Sequence, residues 1–278
     1  MYQTVIPGTR AQLSSFTVNA VQNFTKSSIG KKWIVALTGL AMFLFVIGHV
    51  TGNLQFFIGP EAINHYGELL RTWPELLWVI RLGLLACLGL HVIFTMLVVI
   101  ENRKARPQKY ACQASVQSKL STKLMALSGV LLLVFIVFHL AHFTTHSVDT
   151  AFHGFKDEKG RHDVYRMLVV AFSNPLMAGA YALAMIFLCS HLSHGAWSWM
   201  QTLGLRTKKV SEDVNRGARI LAVVLALGYV SIPLSIQFGW GKGYAAERER
   251  AAQAVRQNPD SAPQVTSDRP ESTSPKAN

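Results

Sequence analysis

The sequence predicts an all-α membrane protein with five transmembrane helices in one bundle, and three observations predict it. Half of the 278 residues are hydrophobic and only 15% are charged, less charge than a soluble domain of that size carries. The apolar residues fall in five blocks, 33–57, 76–100, 124–143, 167–190 and 220–238, each close to the roughly 20 residues that cross a bilayer as a helix. Polar segments separate them. Helices are the spanning form for such blocks, because lipid tolerates no open backbone.

Around this bundle the chain divides into an N-terminal arm (1–30), the membrane domain (31–240) and a polar tail (241–278). The arm does not read as a secretory signal peptide: its polar stretch is long, and the first apolar block exceeds a signal core. The tail is rich in Pro and Ser, which predicts disorder after a short helical start. No tandem repeat is evident. Cys87, Cys112 and Cys189 form no C-x-x-C pair and no C-x-x-C-H haem-attachment motif, so no disulfide framework is expected.

Lysine and arginine in the short loops set the orientation. The segment before the first block carries Arg10, Lys26, Lys31 and Lys32 without an acid. The second loop, ENRKARPQKYACQASVQSKLSTK, has six basic residues against Glu101, and the fourth, RTKKVSEDVNRGAR, has five against two. The first loop holds only Arg71 against three glutamates, and the third balances four bases with four acids. The N-terminus is therefore expected in the cytoplasm and the C-terminus outside. The net charge of +12 follows from this bias and calls for no nucleic acid. Anionic membrane lipid or an acidic partner on the cytoplasmic face would suit it.

Orientation gives each intramembrane histidine a depth. His49 lies about 17 residues past Lys32 on the outward-running first helix, roughly 25 Å along it at 1.5 Å per residue. His139 lies about 16 residues past Lys123 on the outward-running third helix, at nearly the same outer depth. His91 and His191, on the inward-running second and fourth helices, fall in the cytoplasmic half. A single histidine in a span is usually hydrogen-bonded to a neighbouring helix. Four of them, paired by depth, fit two bis-histidine haems b, since haem takes axial ligands from opposite faces and imidazole binds iron well. A zinc site or a transported metal is the competing reading, but it wants ligands converging on one point with carboxylates or thiolates nearby. The centres of the blocks hold no Asp or Glu. Gly48, Gly52, Gly83, Gly89, Gly129, Gly179 and Gly195 would thin the helices near a flat macrocycle, although small residues also serve ordinary helix packing.

Several segments, SSIGKKWIVALTGLAMFLFVIGHVTGNLQFF, NHYGELL, ENRKARPQKY, FHLAHFTT and SHLSHGAWSWMQTLG, together resemble one family. It is the di-haem cytochrome b membrane-anchor subunit of succinate:quinone oxidoreductases, the succinate dehydrogenases and fumarate reductases. The resemblance covers about 26–240. It implies two haems b ligated from the first four helices: His49 and His139 for the outer haem, His91 and His191 for the inner one. In the family's His-Leu-x-(Asp or His)-x-Thr run the ligand stands first, which selects His139 over His142 and leaves His146 aside. In the HLSH run the resemblance selects His191 over His194. His142 and His194 then stand as hydrogen-bonding groups.

The resemblance further implies a bacterial cytoplasmic membrane location and a flavoprotein subunit and an iron–sulfur subunit docked on the cytoplasmic face. The chain itself has no G-x-G-x-x-G flavin fingerprint and no cysteine cluster, so it performs no dicarboxylate chemistry alone. A quinone, menaquinone or ubiquinone, is expected near the outer haem, with Asn53, Tyr66, Glu68, His65 and His146 as candidate contacts. Arg81, five residues inside the second block, is a candidate partner for a haem propionate; snorkelling to the interface is the alternative. A di-haem cytochrome b of another respiratory complex and a non-redox, histidine-rich transporter are the other readings.

Overall fold

The computed structural model describes residues 22–105, 120–202, 204 and 211–258. Besides the helical residues 22–26, they include eight α-helices: α1 Ser28–Asn53, α2 Pro60–Thr72, α3 Pro74–Lys104, α4 Leu120–Phe143, α5 Val164–Ser173, α6 Pro175–Thr202, α7 Ser211–Gln237 and α8 Lys242–Gln257. Five of them, α1, α3, α4, α6 and α7, are long and apolar enough to cross a membrane.

Local chemistry sets the boundaries. Ser27 caps α1, its hydroxyl accepting from the Gly30 amide at 2.9 Å, one of the donors a helix start leaves open. After a 3-10 turn, Leu54–Phe57, the chain turns at Gly59 (φ 136°), a conformation available to glycine. Pro60 and Pro74 open α2 and α3, where a missing amide costs nothing.

The fourth apolar block departs from expectation. It is not one helix from 167 onward but α5 followed by α6, broken at Asn174 and Pro175. The Asn174 side chain accepts from the Leu176 amide at 2.9 Å, capping α6, and proline at the start of α6 cannot continue α5. The span therefore runs Pro175–Thr202, and residues 167–173 belong to a short helix packed outside it.

α2, the 144–174 segment and α8 gather at one end of the bundle. Arg161 joins Asp157 and Glu61 through 2.7 Å ion pairs, and Lys159 reaches Glu61 at 2.8 Å. Those two cations hold the Glu61 carboxyl down to about 2. Beneath them Asp163, fully buried, accepts from Asn64 (3.1 Å), the Arg166 amide (3.0 Å) and the Tyr244 hydroxyl (3.0 Å). Asn64, 1% exposed, also accepts from the Tyr165 amide at 3.0 Å, so this buried polar cluster is well paired. The main core lies at the same end, where Phe56, Ile63, Tyr165, Leu168, Val169, Phe172, Ile232 and Ile236 pack together. The tail takes part in this cap: α8 is a 16-residue helix whose Glu249 pairs with Arg166. The remainder of the tail (259–278) and most of the arm (1–21) lie outside the described residues. At the opposite end a buried Lys31 pairs with Glu101, tying the start of α1 to the end of α3.

In the bundle α3 leans chiefly on α1, α4 on α6, and α6 on α7; the two halves meet where α1 packs against α6. The pairs α1/α4 and α3/α6 are not among the closely packed helices.

Candidate functional site

The four histidines lie in those loosely packed gaps. His49 of α1 and His139 of α4 have ring centroids 6.0 Å apart, and His91 of α3 and His191 of α6 are 6.4 Å apart. A metal–imidazole bond is about 2 Å, so two imidazoles on opposite sides of one ion have ring centres roughly 6 Å apart. Both pairs have that spacing. Among the described residues no group of three or more His, Cys, Asp or Glu is arranged to hold a metal ion, whereas a structural zinc site asks for four ligands. Each site offers two imidazoles and apolar walls, a donor set that fits bis-histidine haem. The residues that would hold the two haems are His49 with His139 and His91 with His191.

Neighbouring side chains fix each ring. Phe45 stacks on His49 at 5.2 Å, and Asn53, one turn on, donates to the His49 carbonyl at 2.7 Å. Tyr229 of α7 flanks His49 at 5.9 Å and donates to the Val46 carbonyl at 2.9 Å. His139 sits among Phe135, Phe143 and Tyr181, with ring centroids 5.7–6.0 Å away. Its buried Nδ1 has no hydrogen-bond partner among the described residues.

In the second pair His91 Nδ1 lies 3.1 Å from the Val35 carbonyl and 3.3 Å from Thr38 Oγ1. His191 Nδ1 lies 3.3 Å from Ser128 Oγ. The glycine after each hydroxyl residue makes room for the ring: a Cβ at Gly39 would stand 3.1 Å from His91 Cε1, and one at Gly129 3.5 Å from His191 Cε1.

A repeat links the two halves, and the sequence reading overlooked it. Ala36, Leu37, Gly39, Phe45 and His49 recur ninety positions later as Ala126, Leu127, Gly129, Phe135 and His139, with Thr38 matched by Ser128. Phe135 lies 5.8 Å from His139 as Phe45 lies 5.2 Å from His49. Each repeat supplies one histidine and, eleven residues earlier, a hydroxyl for the histidine of the next span. Eleven residues are about three turns, roughly 16 Å, so the two pairs stand at two depths.

His142 has a different role. It is 2% exposed, its Nδ1 bonds the Tyr181 hydroxyl at 3.0 Å, and Phe143 stacks on it at 4.2 Å. It faces Tyr181 of α6 and Phe152 of the 3-10 turn Thr150–Gly154, not His49. Of the glycines singled out in the sequence, Gly129 seats a histidine ring and Gly52 seats Tyr66. Gly48, Gly83, Gly89, Gly179 and Gly195 have open space where a Cβ would stand.

The five candidate quinone contacts do not form one site. Asn53 lies at the His49 ring and Tyr66 covers Gly52 next to it, so these two are neighbours. Glu68 belongs to an exposed network with His65 (3.7 Å) and Arg161 (3.9 Å). His146 adopts φ 52°, the left-handed region that ends α4, and is buried against His162 (5.4 Å) and His153 (4.8 Å). Burial and then the Arg71 charge push His162 down to about 4, and burial also lowers His146, so both are neutral at pH 7. Arg81 is exposed, with its guanidinium 5.4 Å from the Trp78 ring centre. Burial and then the neighbouring Arg81 charge lower the Arg71 guanidinium from its ordinary value. No family model, curated protein or solved structure matches the chain.

Proposed function

We propose that this chain is the di-haem cytochrome b membrane-anchor subunit of a succinate:quinone oxidoreductase, a succinate dehydrogenase or fumarate reductase of the bacterial cytoplasmic membrane. The single observation that carries the reading is the paired geometry: two histidine couples at two depths, with ring centroids 6.0 and 6.4 Å apart. The motifs from NHYGELL to SHLSHGAWSWMQTLG support the particular complex.

Bound haem supplies reversible one-electron chemistry with no open iron position. The chain's own residues hold it and exclude water. His91 and His191 hold the inner group on the side of the basic loops, where an iron–sulfur subunit, itself joined to a flavoprotein, would dock. His49 and His139 hold the outer group below the cap, which lies outside the membrane in this reading. Asn53 and Tyr66 are the candidates best placed for a quinone, because they adjoin His49. Glu68 and His146, farther into the cap, would exchange protons rather than touch the quinone ring.

The test is purification of the chain from its native membrane under mild detergent. The complex should contain a flavoprotein and an iron–sulfur protein, and succinate should reduce its b-type absorbance. Absorbance that responds to formate or hydrogen instead would assign the chain to another respiratory complex. Absence of any reduced-minus-oxidised signal would leave the transporter reading.

A further inference from the structure

The hydroxyl groups of Thr38 and Ser128 are committed before they meet a histidine. Thr38 Oγ1 donates to the Ile34 carbonyl at 2.7 Å, and Ser128 Oγ donates to the Met125 carbonyl at 3.0 Å. A hydroxyl has one hydrogen, so toward His91 and His191 these oxygens offer only lone pairs. The Val35 carbonyl near His91 is likewise an acceptor. The Val35 carbonyl therefore requires the hydrogen of His91 on Nδ1, and a Ser128 hydroxyl bonded to the Met125 carbonyl sets the same tautomer in His191, each ring keeping a lone pair on Nε2.

We infer that Thr38 and Ser128 are positioning residues that lock the tautomer of the inner histidines and tune the metal they bind. The inference rests on the haem reading above. A hydrogen bond from Nδ1–H to an acceptor makes the opposite nitrogen more basic, and such outer partners orient metal-bound imidazole. A more basic imidazole favours ferric over ferrous iron. The repeat gives an independent argument: the two hydroxyl residues occupy equivalent positions ninety residues apart, each followed by a glycine against the ring it serves. The outer pair differs: His139 Nδ1 has no partner among the described residues, and the group beside the His49 ring is the Asn53 amide nitrogen at 3.4 Å, a donor and not an acceptor. The two inner histidines also differ. His91 has two acceptors, while Ser128 is the acceptor found for His191.

The test is a redox titration of both b-type components in the intact complex, with Ser128→Val and Ser128→Thr compared. Valine has threonine's shape without the hydroxyl. Ser128→Val should raise the potential of the inner component, or lose that haem, while Ser128→Thr keeps wild-type behaviour and the outer component stays put. Thr38→Val should shift the inner component less, because the Val35 carbonyl still holds His91. If Val and Thr at 128 behave alike, with the inner haem shifted, lost or unchanged in both, the hydroxyl has no such role and the inference falls. An equal shift of the outer component also overturns it. Wild-type complex without haem would instead refute the function proposed above.

Discussion

In the proposed cytochrome, His139→Ala should abolish the outer b-type component completely, and His142→Ala should leave it in place. These two histidines share one face of α4 and lie one turn apart, about 4.5 Å along the axis, so only one can bind a given iron through a bond of about 2 Å. His139 stands opposite His49 at 6.0 Å. His142 is turned to Tyr181 and enclosed by Phe143 and Phe152. Losing it strands the buried Tyr181 hydroxyl, a cost of about 1–3 kcal/mol in stability, which is a packing effect and not a loss of ligand. Haem counts and reduced-minus-oxidised spectra of the two variants decide the matter. Loss of the outer component in His142→Ala, with retention in His139→Ala, would reverse the assignment.

The second large effect is selective. His91→Ala and His191→Ala should each remove the same spectral component, and His49→Ala should remove the other one. Each couple joins two helices that otherwise pack little against each other, so the remaining histidine has no second ligand within reach. The other couple, about three turns away along the helices, keeps its walls and its partner. Selective loss in all four single variants is the expected pattern, read from low-temperature spectra. His49→Ala and His91→Ala abolishing one common component would contradict the pairing.

The proximity within each couple was legible in the sequence because a helix rises by a constant step: counting from Lys32 and Lys123 put His49 and His139 at one depth, and places late in their inward-running blocks put His91 and His191 at another. What lay beyond counting was set by particular contacts. The block 167–190 was read as one span because it is mostly apolar, although Ser173, Asn174 and Pro175 interrupt it; the Asn174 cap and Pro175 made the break, and seven of its residues became part of the cap. The helical start expected of the tail is the 16-residue α8, but its contacts with Arg166 and Asp163, far away in the chain, could not be read from its composition. Glu68 and His146 looked equivalent to Tyr66 as loop residues, yet Glu68 is drawn off by Arg161 and His146 by His162. The ninety-residue repeat escaped notice because most of its matched positions differ. It becomes plain once Thr38 and Ser128 are seen against equivalent rings.

Haem stoichiometry of the purified complex tests the central claim most directly. A pyridine haemochrome assay on fully loaded material should give two protohaems per chain, one for each histidine couple. One haem per chain, or none, would contradict the account.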